Sequence, residues 1–70
     1  MSKHAALQHR EAAKQLEQAA FHHREAAMHY EVGDGETADQ HARRAAEHMN
    51  KADEHVVEAA MADAEEEGSA

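Results

Sequence analysis

Val32-Gly33-Asp34-Gly35-Glu36-Thr37 is the stretch that decides the fold, because it is the one strong helix-breaking signal inside a 70-residue chain that has no proline. Gly33 can take the left-handed conformation that ends a helix, and Asp34 can cap the amides of the helix that follows. Thr37 with Gln40 is a competing capping box, which would move the second start by three residues.

Good helix formers lie on both sides of this stretch, so the sequence predicts one all-α domain over residues 1–70. Its parts are helix 1 at about 3–32, a turn at 33–35, helix 2 at about 36–65 and an acidic tail at 66–70. Because the connection is so short, the two helices should be antiparallel neighbours.

A seven-residue repeat of alanine runs through both halves and marks a helix face made for another helix. We predict that one core row of helix 1 consists of Ala6, Ala13, Ala20 and Ala27, and the other of His9, Leu16, His23 and Tyr30. The corresponding rows of helix 2 are Ala38, Ala45, Ala52 and Ala59, and His41, His48, His55 and Ala62.

Folded about Asp34, these rows set small residues opposite large ones through seven layers, an arrangement that lets helices approach closely without voids. Further apolar positions widen each stripe beyond the hairpin contact: Ala5, Ala12, Ala19 and Ala26, with Ala42, Met49 and Val56. The extra width predicts a second packing surface. We therefore expect two hairpins to dimerise into a twofold-symmetric four-helix bundle, with a partner helix as the alternative occupant.

Composition supports association and argues against catalysis. Alanine supplies 18 of the 70 residues, so few side chains bring a large apolar area to a core, and a monomer this short would be marginally stable. The absence of cysteine excludes disulfides, thiolate metal sites and cysteine nucleophiles. Because no catalytic serine arrangement or phosphate-binding loop occurs either, we expect a non-enzymatic protein.

Charge and hydropathy exclude two further classes of function. Residues 1–31 carry four basic and four acidic side chains, so the net charge of −8 belongs to the rest of the chain. A nucleic-acid-binding protein needs a concentrated basic patch, and none is present. No stretch approaches the roughly 18 apolar residues of a membrane span, and the first residues lack a signal-peptide pattern. We expect a cytoplasmic protein.

Histidines at the predicted seam raise the possibility of metal binding. Residues seven apart on one helix lie about 10.5 Å apart along its axis, so any ion must be held between helices. The candidate ligands are His48, His23, His41, His55 and His9, with His48 and its symmetry mate closest to the expected twofold axis. Such imidazole clusters suit zinc, copper, nickel or cobalt. In the alternative interpretation, they are polar core residues that fix the register of a structural or protein-interaction module.

A second, weaker group of candidate ligands follows one stripe of helix 1: His22, Glu25 and His29. Spacings of three and four allow neighbouring members of this group to bind one ion together. The predicted seam turns this stripe outward, so we expect it to lie on the solvated surface.

The predicted layout resembles Rop, the plasmid repressor-of-primer family, in having two helices of about 28 residues, a Gly/Asp turn and alternating small and large core layers. The resemblance implies a dimeric four-helix bundle. RNA binding is not carried over, because that role needs a basic face and helix 1 is neutral. Tyr30-x-x-Gly33-Asp34 followed by Ala38, Ala42 and Ala45 resembles the middle of a tetratricopeptide repeat. The phrase Ala26-Ala27-x-His29-Tyr30-Glu31-x-Gly33-Asp34-x-Glu36 is similar to short, His- and Ala-rich uncharacterised bacterial hairpin proteins, which implies no activity.

Overall fold

The computed structural model describes residues 2–68, with side chains described from 2 to 64. It is all-α: helix α1 spans Lys3–Glu31 and helix α2 spans Gly35–Gly68, and the two pack along their length as an antiparallel hairpin. Helix α2 continues three residues beyond the predicted end at 65, and the last two residues of the expected acidic tail lie outside the described residues. No described helix contains an apolar segment long enough to cross a bilayer.

Local hydrogen bonds explain where the helices begin and end. Ser2 caps α1 by accepting a hydrogen bond from the backbone N–H of Ala5 at 2.9 Å. At the other end, Gly33 has φ +84°, and the N–H groups of Gly33 and Asp34 donate to the carbonyls of Tyr30 and His29. These two bonds are the pair that closes a helix with a left-handed glycine.

Helix α2 uses the predicted aspartate cap. Asp34 accepts a hydrogen bond from the backbone N–H of Thr37 at 3.3 Å, and the first helical residue is Gly35. The competing capping box at Thr37 and Gln40 would have started the helix three residues later, so the structure decides between the two predictions in favour of Asp34.

Among residues 2–64, alanine alone forms the apolar core between the helices. The buried residues are Ala5, Ala12, Ala19 and Ala26 of α1 and Ala38, Ala45, Ala52, Ala59 and Ala62 of α2. The alanine row of α2 and Ala62 are therefore confirmed as core residues, whereas His41, His48 and His55 of the other predicted row are half-buried beside the core. The core row of α1 was predicted one residue too late: Ala6, Ala13 and Ala27 are exposed, and Ala20 is half-buried. Since alanines occur in adjacent pairs, both registers carry the same seven-residue repeat, and the helix is rotated by about 100° from the predicted orientation.

This rotation decides which residues flank the core on each side. The histidine face consists of the residues three positions after the core alanines from Ala5 to Ala52: Gln8, Gln15, His22 and His29 of α1 and His41, His48 and His55 of α2. The apolar face lies on the other side of the core. It comprises Ala6, His9, Ala13, Leu16, Ala20, His23, Ala27 and Tyr30 of α1, and Asp39, Ala42, Ala46, Met49, Asp53, Val56, Ala60 and Asp63 of α2.

Candidate metal centre

Three hydrogen-bonded pairs connect the helices across the histidine face at seven-residue intervals. Near the turn, the Nδ1 atoms of His22 and His41 lie 2.9 Å apart, so one ring donates and the other accepts. Further along, Nδ1–H of His48 donates to Oε1 of Gln15, and Nδ1–H of His55 donates to Oε1 of Gln8, both at 2.6 Å. These pairs are half-buried, and each satisfies a polar group beside the alanine core.

Next to the first pair, Glu25, His29 and His41 form a group that could hold a metal ion. Each of the three offers one ligand atom, and these atoms all lie within 4.8 Å of one another. Around a tetrahedral zinc with bonds of about 2.0–2.2 Å, ligand atoms are separated by about 3.4 Å. Small rotations of half-buried side chains could close that difference. The ion would join α1 to α2 beside the turn.

Aromatic contacts concentrate imidazole rings around this group. The rings of His29 and His41 are almost parallel, at 10°, with centroids 5.5 Å apart. The rings of His22 and His48 are parallel within 7°, with centroids 5.6 Å apart. Four histidines from two helices therefore meet within two turns.

The pKa of His22 is lowered from its ordinary value of 6.5 by desolvation first, and then by the positive charges that His41, His48 and Arg44 can carry. Glu25 acts in the opposite direction. A depressed pKa favours the neutral imidazole at physiological pH, which is the form that can accept a hydrogen bond or bind a metal.

Asp34 connects the turn to this group. Its Oδ2 lies 3.5 Å from Nδ1 of His29, while Nε2 of the same ring lies 3.9 Å from Oε2 of Glu25. Hydrogen bonds with Thr37 are the main reason that the pKa of Asp34 is lowered, with a smaller contribution from His29. A carboxylate behind a histidine ring fixes the ring orientation and raises its basicity toward a metal. Asp34 therefore occupies the position of an outer-sphere residue.

The structure separates the five leading candidate ligands into two sets. His41 belongs to the group, and His48 lies beside it through its ring contact with His22. His55 pairs with Gln8 two heptads away from His41, about 21 Å along the helix axis. His9 and His23 are exposed and lie on the apolar face, so their predicted place between the two helices of the hairpin is wrong.

The weaker candidates are the residues that the structure brings to the histidine face. His22 and His29 are half-buried between the helices, and Glu25 is half-buried beside them, so the prediction that this stripe faces outward is wrong. A signal for the correct register was present in the polar residues Gln8 and Gln15, which continue the row of His22 and His29 at seven-residue spacing. Amide side chains are suited to pair with His48 and His55, whereas Leu16 and Tyr30 are not.

Comparison of the chain with protein-family models, with curated proteins and with solved structures finds no match.

Proposed function

We propose that this hairpin is a non-catalytic protein that binds one transition-metal ion between its helices. The observation that supports the proposal is the convergence of Glu25, His29 and His41 at one point, from two helices, next to the turn. His22 would orient His41 through their Nδ1 contact, and Asp34 would orient His29. Each of the two inner histidines thus has a polar neighbour that limits its rotation.

Ligand chemistry restricts the choice of metal. Two imidazoles and one carboxylate, with no thiolate, favour borderline ions such as zinc, cobalt, nickel and copper over soft copper(I). A three-residue set leaves a position for water or for a fourth side chain. Zinc is the first ion to test, because it accepts distorted tetrahedral sites without a redox change. The proposed role is sequestration, buffering or sensing of such an ion.

The test is a zinc titration of untagged protein by calorimetry, repeated with cobalt to read the ligand field by absorbance. We expect one ion per chain. His41→Ala should weaken zinc binding by more than about 100-fold, because even outer-sphere partners are worth about 10–100-fold. His22→Ala, which removes only the proposed orienting residue, should weaken it by about 10–100-fold.

A matched control is available at the next residue. His23→Ala removes an exposed imidazole from the apolar face and should change zinc affinity by less than about twofold. Equal losses from His22→Ala and His23→Ala would show nonspecific binding by scattered histidines, and would contradict the proposal. Zinc at 100 times its Kd should also raise the free energy of unfolding by about 2.7 kcal/mol, measured from thermal melts followed by circular dichroism.

A second function, protein association, is supported by the apolar face. Leu16 and Met49 remain about half exposed in the hairpin, at 51% and 49%, and the molecule is long and thin, with Cα extents of 57 × 13 × 10 Å. A hairpin whose core is alanine alone gains little apolar burial by itself. The proposed association would cover this face and leave the histidine face to its ion.

A further inference from the structure

The apolar face is continuous over both helices. Two of its rows, on α1, contain no lysine, arginine, aspartate or glutamate between Ala6 and Tyr30. Its large apolar side chains are Leu16, Tyr30, Met49 and Val56, each 44–53% exposed. Three other exposed apolar residues, Leu7, Phe21 and Met28, form a single outer row of α1 that Lys14 interrupts. The remaining ones, Val32 at the turn and Val57 and Met61 of α2, also lie outside the apolar face. The apolar face is therefore a better docking surface than this outer row.

The size of this face matches what a stable dimer needs. Helix α1 has 29 residues, so the face is about 43 Å long, and two adjacent helices make it about 20 Å wide. It therefore presents about 850 Å² per copy, close to the roughly 800 Å² per partner that stable interfaces bury. Its alanine rows alternate with larger residues, and such a surface can pack against itself by placing small residues opposite large ones.

Charge decides how a second copy would be oriented. The three acidic residues on the apolar face, Asp39, Asp53 and Asp63, all belong to α2. The edge of α1 that borders this face carries Lys3, Arg10 and Arg24, with Glu17 between the two arginines and Glu31 at the end of the helix. Packing α1 on the α2 of another copy would bring these opposite charges together. Packing α2 on α2 would instead bring two acidic helices together.

The spacing of these charges fits the observed register of the hairpin. Arg10 and Arg24 are separated by the same number of residues as Asp39 and Asp53. In antiparallel helices, Arg10 can therefore meet Asp53 while Arg24 meets Asp39. Both pairs have the same antiparallel register as the observed contacts His22–His41, Gln15–His48 and Gln8–His55. For example, Arg10 lies two residues after Gln8, and Asp53 lies two residues before His55. Asp39 is already held over the face by a hydrogen bond from the Tyr30 hydroxyl.

We infer that a second copy of this chain covers the apolar face, with α1 of each copy packed on α2 of the other and both turns at the same end of the four-helix bundle. The inference rests on the proposed association and names its partner and geometry. The histidine faces then lie on the two outer sides of the bundle. The dimer would hold two separate metal sites, and His48 would not meet its symmetry mate on the twofold axis.

The test combines native mass spectrometry with spin-label distances in the full-length chain, which contains no cysteine of its own. Labels on Val32→Cys, at the exposed end of α1, should lie within about 30 Å of each other in the dimer. Turns at opposite ends would separate the same labels by more than about 40 Å, the length of α1. Labels on Gln18→Cys, near the middle of α1, should give a short distance in either arrangement and verify that the labelled chain still dimerises.

A charge exchange gives a second, independent measurement. Arg10→Asp should weaken dimerisation by about tenfold, because it places like charges together at two symmetric positions. Adding Asp53→Arg should restore the dimerisation constant to within about threefold of the original. Zinc affinity, measured in parallel, should change in neither variant, so a failure of the metal proposal remains distinguishable from a failure of this one.

Two results would overturn the inference. A monomer at millimolar concentration would remove the second copy as the occupant and with it the proposed self-association, leaving the apolar face to a different protein. A dimer in which the Val32→Cys labels are more than about 40 Å apart, while the Gln18→Cys labels remain close, would keep the association and overturn the geometry.

Discussion

The histidine face and the apolar face flank the same alanine core, but they differ in what holds the helices together there. On the histidine face, three polar pairs connect α1 with α2 and satisfy half-buried groups. On the apolar face, one hydrogen bond from Tyr30 to Asp39 crosses near the turn, and side chains such as Leu16 and Met49 stay half exposed. The polar groups of the histidine face find their partners within one chain, whereas the apolar side chains of the other face remain exposed to a partner. The difference is the basis for proposing metal binding on one side and association on the other.

The largest expected effect comes from one substitution that disrupts association through the apolar face and leaves zinc binding at the histidine face unchanged. Leu16→Glu places a charge in the middle of the apolar face, so it should weaken dimerisation by more than about 100-fold, since burying an unpaired carboxylate is costly. Zinc affinity should remain unchanged. Native mass spectrometry and calorimetry on the same sample provide both values.

The neighbouring residue supplies the control for this prediction. Gln15→Ala removes a partner of His48 on the histidine face and should leave dimerisation within about threefold of the original. Loss of dimerisation in both variants would indicate general unfolding rather than a separation of faces.

A substitution in the shared core should damage both faces together. Ala45 is fully buried, and Ala45→Leu would push the helices apart, so we expect a loss of about 1–3 kcal/mol in the free energy of unfolding. Urea denaturation followed by circular dichroism measures this loss. Ala64→Leu, at an exposed position of α2, should change stability by less than about 0.5 kcal/mol. If the free energy of unfolding of Ala45→Leu were unchanged, the core would not be closely packed.

Acid should weaken the histidine face through His22. The pKa of His22 is lowered in the folded protein by desolvation first, then by His41, His48 and Arg44 of α2, against the opposing effect of Glu25 of α1. The unfolded chain therefore binds the proton more tightly. The stability that depends on neutral His22 is present above its ordinary pKa of 6.5 and declines as the pH falls below it.

Denaturation of chelator-treated protein between pH 7.5 and 5 tests the sign of this dependence. His22→Gln should reduce the loss of stability over that range, whereas His23→Gln should retain the loss seen in the original protein. A steeper loss in His22→Gln would contradict the lowered pKa.

The smallest expected effect concerns the polar contact on the apolar face. The hydrogen bond to Asp39 is the main cause that raises the pKa of Tyr30 above 10.0, followed by desolvation and the negative charge of Asp39. The contribution of this contact to stability is therefore present below pH 10 and is lost as the pH rises through the raised pKa. Because Tyr30 is the only tyrosine and there is no tryptophan, absorbance titration reports this one group. Asp39→Asn should lower its pKa, and an unchanged value would show that the contact does not persist in solution.

Most of the fold could be predicted from the sequence, because Gly33 and Asp34 determine the turn and the alanine repeat determines the faces. The error of one residue in α1 has a physical cause. Adjacent alanine pairs such as Ala5 and Ala6 give the same repeat in two registers, and helix geometry alone does not choose between them. The predicted register places the bulky residues Leu16 and Tyr30 between the helices, whereas the hairpin leaves them on its open side.

The candidate metal group was divided between two predicted sets for the same reason. His41 was assigned to the seam, whereas His29 and Glu25 were assigned to the surface, and a rotation of about 100° brings the three together. The relevant distances depend on packing between helices that are far apart in sequence. The glutamines Gln8 and Gln15 indicate the correct register, because polar side chains beside a core require hydrogen-bond partners and these two can pair with His55 and His48.

The all-alanine core has a further consequence for the alignment of the two helices. Because its residues are identical and recur every seven positions, a slip of one helix by a heptad would still pack three of the four core alanines of α1 against alanines of α2. Such a slip would place His41 opposite Gln15 instead of His22, and would bring His48 opposite Gln8 while leaving His55 unpaired within the described residues. The apolar core thus determines how closely the helices approach, whereas the short turn and the polar pairs determine the single alignment in which they do so.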